Sequence, residues 1–178
     1  MSSPARDASG SPEPSGTPDL TRQLAEIVQQ ISRVMDAEGC TVYLHDEATN
    51  EIWSRVMTST QASREIRLKV GEGIAGKVME TGRVLNVADA QQDARHAHQF
   101  DRSGFVTRSV LCVPLVNSRG ARVGVVQVLN KRGGAFTGAD ETLLTALNSQ
   151  VAIALEIARL AVDRSAGRKA ELERMREQ

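Results

Sequence analysis

Leu20, Leu24, Ile27, Val28, Ile31, Val34 and Met35 recur every three or four positions, the period of a helix buried along one face. Thr17-Pro18-Asp19 reads as its start: Thr as cap, Pro at the first helical position, Asp near the positive helix end. Gly39 reads as its stop. The period then shortens to two. Cys40–Asp46 and Glu51–Met57 read as strands joined by a turn over 47–50, and Glu65–Val70 alternates as a third. Gly71–Gly76, GEGIAG, opens a short helix to about Glu80, and Val84–Val87 is a brief extended piece. Ser109–Val116 and Val123–Leu129 form a second hairpin around Asn117-Ser118-Arg119-Gly120, and a long helix leaves from Thr137. Strands joined by hairpins imply antiparallel pairing. The order predicts an α+β fold: one sheet, terminal helices on one face, an irregular middle and a cavity on the other.

The last helix carries a stripe of Leu144, Leu147, Val151, Leu155, Ala158 and Val162. That stripe packs either on the helix's own sheet or against the first helix and a second protomer. Past Asp163 the pattern is mostly charged. Residues 1–16 are rich in Ser, Pro and Gly without an apolar period and read as a disordered tail. The expected organisation is tail 1–16, domain 17–162 and charged helical extension 163–178.

Hydrophobic residues make up 40% of the 178, enough for one core, but aromatics only 3%, so aliphatic side chains must fill it. Zero net charge argues against a partner as anionic as duplex nucleic acid. No long apolar run is read as a membrane span, and no apolar signal core stands at the N-terminus. Cys40 and Cys112 sit inside strand-like runs and read as reduced core thiols of a cytoplasmic protein.

GEGIAG fits GxGxxG, follows a strand and opens a helix. No βαβ unit follows, so a dinucleotide fold is not expected. Its glycines either let helix-start amides approach an anion or simply make a tight turn. His96 and His98 share no helix face, His45 is distant, and no cysteine lies near, which is poor metal spacing. No GxSxG elbow is present, and Cys112 lies mid-strand near Pro114, so nothing argues for catalysis. Residues 93–108 gather Asp93, Arg95, His96, Asp101, Arg102, Ser103, Thr107 and Arg108 around Phe100 and Phe105, either a solvated connector or, as so long a polar link inside a compact domain suggests, a lid or binding loop.

GEGIAGKVMETGRVLNVADA, GFVTRSVLCVPLVN and GVVQVLNK resemble a GAF domain over about residues 20–160. More narrowly, they are similar to the cyclic-nucleotide-binding GAF domains of phosphodiesterases and bacterial adenylyl cyclases. That subgroup has an N-K-F-D-E motif, present here as Asn130, Lys131, Phe136, Asp140 and Glu141. The resemblance implies a six-stranded antiparallel sheet, a ligand pocket opposite the terminal helices, and a motif that braces the pocket, with Lys131 paired to Asp140. It places Thr41, Met57, Thr58, Ile74, Ala75, Asp101, Ser103, Thr107 and Gln127 around a cyclic nucleotide. Met57 and Thr58 stand where an aromatic and an acid are common. Gln127 stands where Glu is common, which removes a charge but keeps a donor and an acceptor. The implied protein is a cytoplasmic sensor of cAMP or cGMP, not an enzyme and without a cofactor. It signals through a helical homodimer to a partner, with no nucleic acid or membrane involved. The alternatives are a scaffold GAF domain that binds no nucleotide, and a sensor of another ligand or of a haem using His96 or His98. Methionine sulfoxide reduction is a poor match for two strand-borne cysteines.

Overall fold

The computed structural model describes residues 18–57, 65–96 and 105–176. Helix α1 (Pro18–Val34) starts on its proline, whose fixed φ suits a first helical position. Met35 and Asp36 donate back to Ile31 and Arg33 carbonyls, and Asp36 then turns left-handed, with φ 50°. A short polar side chain tolerates that conformation. The chain therefore leaves the helix before Gly39, which lies inside a strand, contrary to its expected role as the stop.

The strands are β1 (Ala37–Asp46), β2 (Glu51–Met57), β3 (Arg67–Lys69), β4 (Leu85–Val87), β5 (Val110–Val116) and β6 (Arg122–Lys131). They form one six-stranded sheet in the order β3-β2-β1-β6-β5-β4, and every pairing is antiparallel. Alternation gives the sheet two apolar faces. Cys40, Val42, Leu111, Val113, Val126 and Val128 face α1 and α3 (Gly138–Arg176). Tyr43, Ile52, Cys112 and Val125 face the short helix α2 (Gly73–Thr81), which contributes Ile74, Ala75, Val78 and Met79. Gly124 allows β6 close to β1: a Cβ there would lie 2.0 Å from the Tyr43 carbonyl oxygen.

Leu144 and Val151 of α3 are fully buried in the helix-face core, with Leu147, Ala152 and Leu155 packed beside them. The stripe read as a possible dimer seam thus spends its first half on the helix's own domain. Ile153, Ile157 and Leu160 point the other way and are 57%, 62% and 47% exposed. Being apolar on both sides, Gly138–Ala161 contains an 18-residue stretch of mean hydropathy 1.3 and is long and apolar enough to cross a membrane by length and composition only. This corrects the sequence reading that no such run exists. Part of that apolarity forms the core of this domain.

Candidate ligand-binding site

α2 begins where β3 ends. Gly71 is left-handed, with φ 91°, and its N–H donates to the Gly76 carbonyl. A Cβ on Gly76 would come within 2.6 Å of the Lys69 carbonyl oxygen, so the strand-to-helix turn needs glycine there. Glu72 occupies the N-cap position without capping by its side chain; its carboxylate accepts instead from the Lys69 N–H at 3.0 Å. The amides of Ile74 and Ala75 therefore open the helix with no side-chain cap, at its positive end. Their side chains are buried with Tyr43, Cys112 and Val125.

Beneath this cluster runs a cross-strand row. Thr41 pairs with Met57 on one side and Gln127 on the other, Gln127 with Cys112, and Cys112 with Leu85. Thr41 is buried and Gln127 half-buried. Cys112 lies in the α2-side cluster and Cys40 in the helix-side cluster, so the sheet separates the two thiols. Burial pushes both well above the usual thiol range, which keeps them protonated and poor nucleophiles.

Residues 105–109 form the rim. Gln91 Nε2 donates to the Thr107 carbonyl at 2.9 Å, and Ala90 N to the Arg108 carbonyl at 2.6 Å. On the other side stands Asn130, completely buried, with φ 55°. Its Oδ1 accepts from the Arg108 and Ser109 amides at 2.6 and 3.3 Å, while Nδ2 donates to the Val106 carbonyl and the Glu38 carboxylate at 2.8 and 2.9 Å. Asp93 closes a bidentate pair with Arg95, whose hydrogen bond outweighs burial and brings the Asp93 carboxyl down to about 2.

Lys131 reaches the helix layer. Its Nζ donates to the Met35 carbonyl at the end of α1 and to Asp140 Oδ1 at 2.9 Å. Asp140 Oδ2 accepts from the Thr137 amide at 2.8 Å, and the Asp140 amide donates to Thr137 Oγ1 at 3.3 Å, a reciprocal cap at the start of α3. Burial alone would raise the Asp140 carboxyl; the Thr137 N–H and the Lys131 ammonium overcome it and hold it below the usual range. Phe136 is buried in the helix-face core. Glu141 takes a different partner, Asn86 Nδ2 at 2.9 Å, and Asn86 also donates to the Phe136 carbonyl.

The structure thus brings the motif residues together at one end of β6, and puts Thr41, Ile74, Ala75 and Gln127 on the α2 side of the sheet, with Thr107 on the rim. Thr58, Asp101 and Ser103 lie outside the described residues, as do His98 and the 1–16 tail. Sequence reasoning missed Glu38 and Asn86. Asn86 had one signal, a lone amide among Val84, Leu85 and Val87.

The GAF domain family model matches residues 19–155. The chain belongs to the GAF domain family. Similar curated relatives include the probable 3',5'-cyclic phosphodiesterase pde-5 of Caenorhabditis elegans, 30% identical over 77% of this chain and 20% of its own length. Another is the dual 3',5'-cyclic-AMP and -GMP phosphodiesterase 11A of Takifugu rubripes, 34% identical over 71% of this chain and 15% of its own. The chain spans a fifth or less of these relatives. Among solved structures, the GAF domain of an Acinetobacter phosphoenolpyruvate-protein phosphotransferase superposes with a TM-score of 0.68. It is 24% identical, with 81% of this chain and 86% of that one covered, a likeness of fold alone.

Proposed function

We propose that this GAF domain is a regulatory sensor that binds a cyclic nucleotide, cAMP or cGMP, on the α2 side of its sheet. The observation that carries the reading is the uncapped start of α2, whose Ile74 and Ala75 amides open beside the Thr41–Gln127 row. A cyclic phosphate monoanion suits a helix N-terminus, and Thr41 and Gln127 offer hydroxyl and amide partners to a nucleotide. The phosphodiesterase relatives support the same ligand class. Met57, Thr58, Asp101, Ser103 and Thr107 complete the proposed contacts, and Asn130, Lys131, Phe136, Asp140 and Glu141 brace the site against the terminal helices. The domain itself performs no chemistry and takes no cofactor. It works in the cytoplasm, where cyclic nucleotides are made and its cysteines stay reduced, and relays occupancy to a partner.

Titration calorimetry with cAMP and cGMP tests this: one of them releases or absorbs heat and raises Tm. No heat and no thermal shift at millimolar ligand would sink the nucleotide reading. Gln127→Ala lowers affinity about tenfold, the size of one lost polar contact to the ligand, at unchanged Tm.

The outward Ile153, Ile157 and Leu160 favour a second element of the reading, a homodimer through α3. That surface serves equally if the domain is a scaffold that binds no nucleotide, so oligomeric state and ligand heat are separate measurements.

A further inference from the structure

Asn130 can only grip the rim in one orientation. Its oxygen must face the Arg108 and Ser109 amides, and its NH2 must find acceptors behind it. The Val106 carbonyl supplies one acceptor and the Glu38 carboxylate the other. A carboxylate accepts and cannot donate, so Glu38 excludes the flipped amide, which would set oxygen against oxygen. We propose that Glu38 is a positioning residue of this domain: it locks the Asn130 side chain so that the 106–109 rim, and Thr107 with it, holds one place beside the ligand site.

Three observations carry this. Asn130 has no solvent to offer its amide a substitute acceptor. Glu38 belongs to the junction where the chain leaves α1: Lys131 holds the Met35 carbonyl, Arg132 N donates to the Asp36 carbonyl at 2.8 Å, and Ser32 Oγ to the Ala37 carbonyl at 3.0 Å. The residue that orients Asn130 is thus built into the frame that fixes the end of α1. Third, Glu38 also pairs with the Arg108 guanidinium, but Arg108 is 57% exposed, so solvent screens that pair and the buried amide contact dominates. A displacement of the rim is therefore felt at the end of α1 through Glu38, and at the start of α3 through Lys131.

The test compares two variants of equal length on the full chain. Glu38→Met keeps the packing and removes the acceptor; Glu38→Gln keeps an acceptor and removes the charge. Amide hydrogen exchange at Arg108 and Ser109 is read against Leu111 and Val128, which lie deep in the sheet. In Glu38→Met the two rim amides exchange about tenfold faster or more, while the sheet amides keep their rates. In Glu38→Gln, rim exchange stays within about threefold of wild type. Wild-type rates in Glu38→Met overturn the proposal, as do equal acceleration in both variants or faster exchange throughout the sheet. The ligand arm rests on the nucleotide reading: Glu38→Met weakens cAMP or cGMP binding about tenfold and Glu38→Gln does not. Unaltered affinity beside a loosened rim overturns the positioning role. If the wild type binds neither nucleotide, that reading fails and the exchange rates alone decide the fate of Glu38.

Discussion

Asn130 is a residue in which backbone and side chain are both specified. Its positive φ favours Asn or Gly over other residues, and its amide, fully buried from solvent, makes four hydrogen bonds. Asn130→Ala loses both contributions and is destabilised by about 3 kcal/mol or more; Asn130→Gly keeps the backbone and is roughly 1 kcal/mol less affected. Equal melting temperatures for the two variants would refute the backbone contribution. Lys131 and Asp140 are 22% and 11% exposed at the side chain, so their pair is only partly screened. Lys131→Ala is expected to cost about 2 kcal/mol, a few degrees in Tm for a domain of this size. An unchanged melting curve would remove Lys131 from the brace. The Asp140 carboxyl sits below its ordinary value, so its ionised form stabilises the fold at neutral pH, and that contribution is lost as pH falls through the lowered value. Asp140→Asn is therefore less stable than wild type at pH 7, and the gap narrows below about pH 4. Urea titrations at both pH values measure it.

At the scale of elements, the strands and hairpins were legible because each carries its own period and turn residues. Five of the strands, the α2 turn and the start of α3 within one residue of Thr137 follow those local signals; the sixth strand, β4, showed only as a brief extended piece, and the six-stranded sheet came from the family resemblance. The end of α1 was misread because Gly39 is the louder stop signal, yet Asp36 can turn left-handed and does so earlier. Glu38 carried no signal, and Asn86 only its place among apolar neighbours, for another reason. Their partners stand 92 and 55 positions away, and nothing local marks an Asn or Glu as satisfied at such range. The face of α3 was legible only by half, since apolar residues on both sides fit more than one stripe. The two sides separate by mutation. Leu144→Ala opens a cavity in the core and lowers stability by about 2–5 kcal/mol. Ile157→Glu leaves Tm nearly unchanged at high dilution and shifts sedimentation from dimer to monomer at concentrations where the wild type self-associates. A monomeric wild type would refute the α3 seam.

For the whole molecule, the sheet divides two jobs. One face is closed by α1 and α3 around aliphatic side chains; the other meets α2 and the rim. At the end of β6 two adjacent residues reach both. Leu129 packs on the α2 side, and strict alternation would send Lys131 there too, but the left-handed Asn130 intervenes and Lys131 reaches the helix layer. Two neighbouring residues thereby join the candidate site to both terminal helices, an arrangement no single-element reading of the chain contains.

The position of α3 in the chain has a consequence for synthesis. Leu111, Val113, Val126 and Val128 leave the ribosome before the helix that covers them, and Leu144 and Val151 emerge only afterwards. For that interval the nascent sheet shows half of its core to the cell. A released chain truncated just after Lys131 is then expected to be captured by chaperones in a pull-down, and one truncated past Leu155 is not.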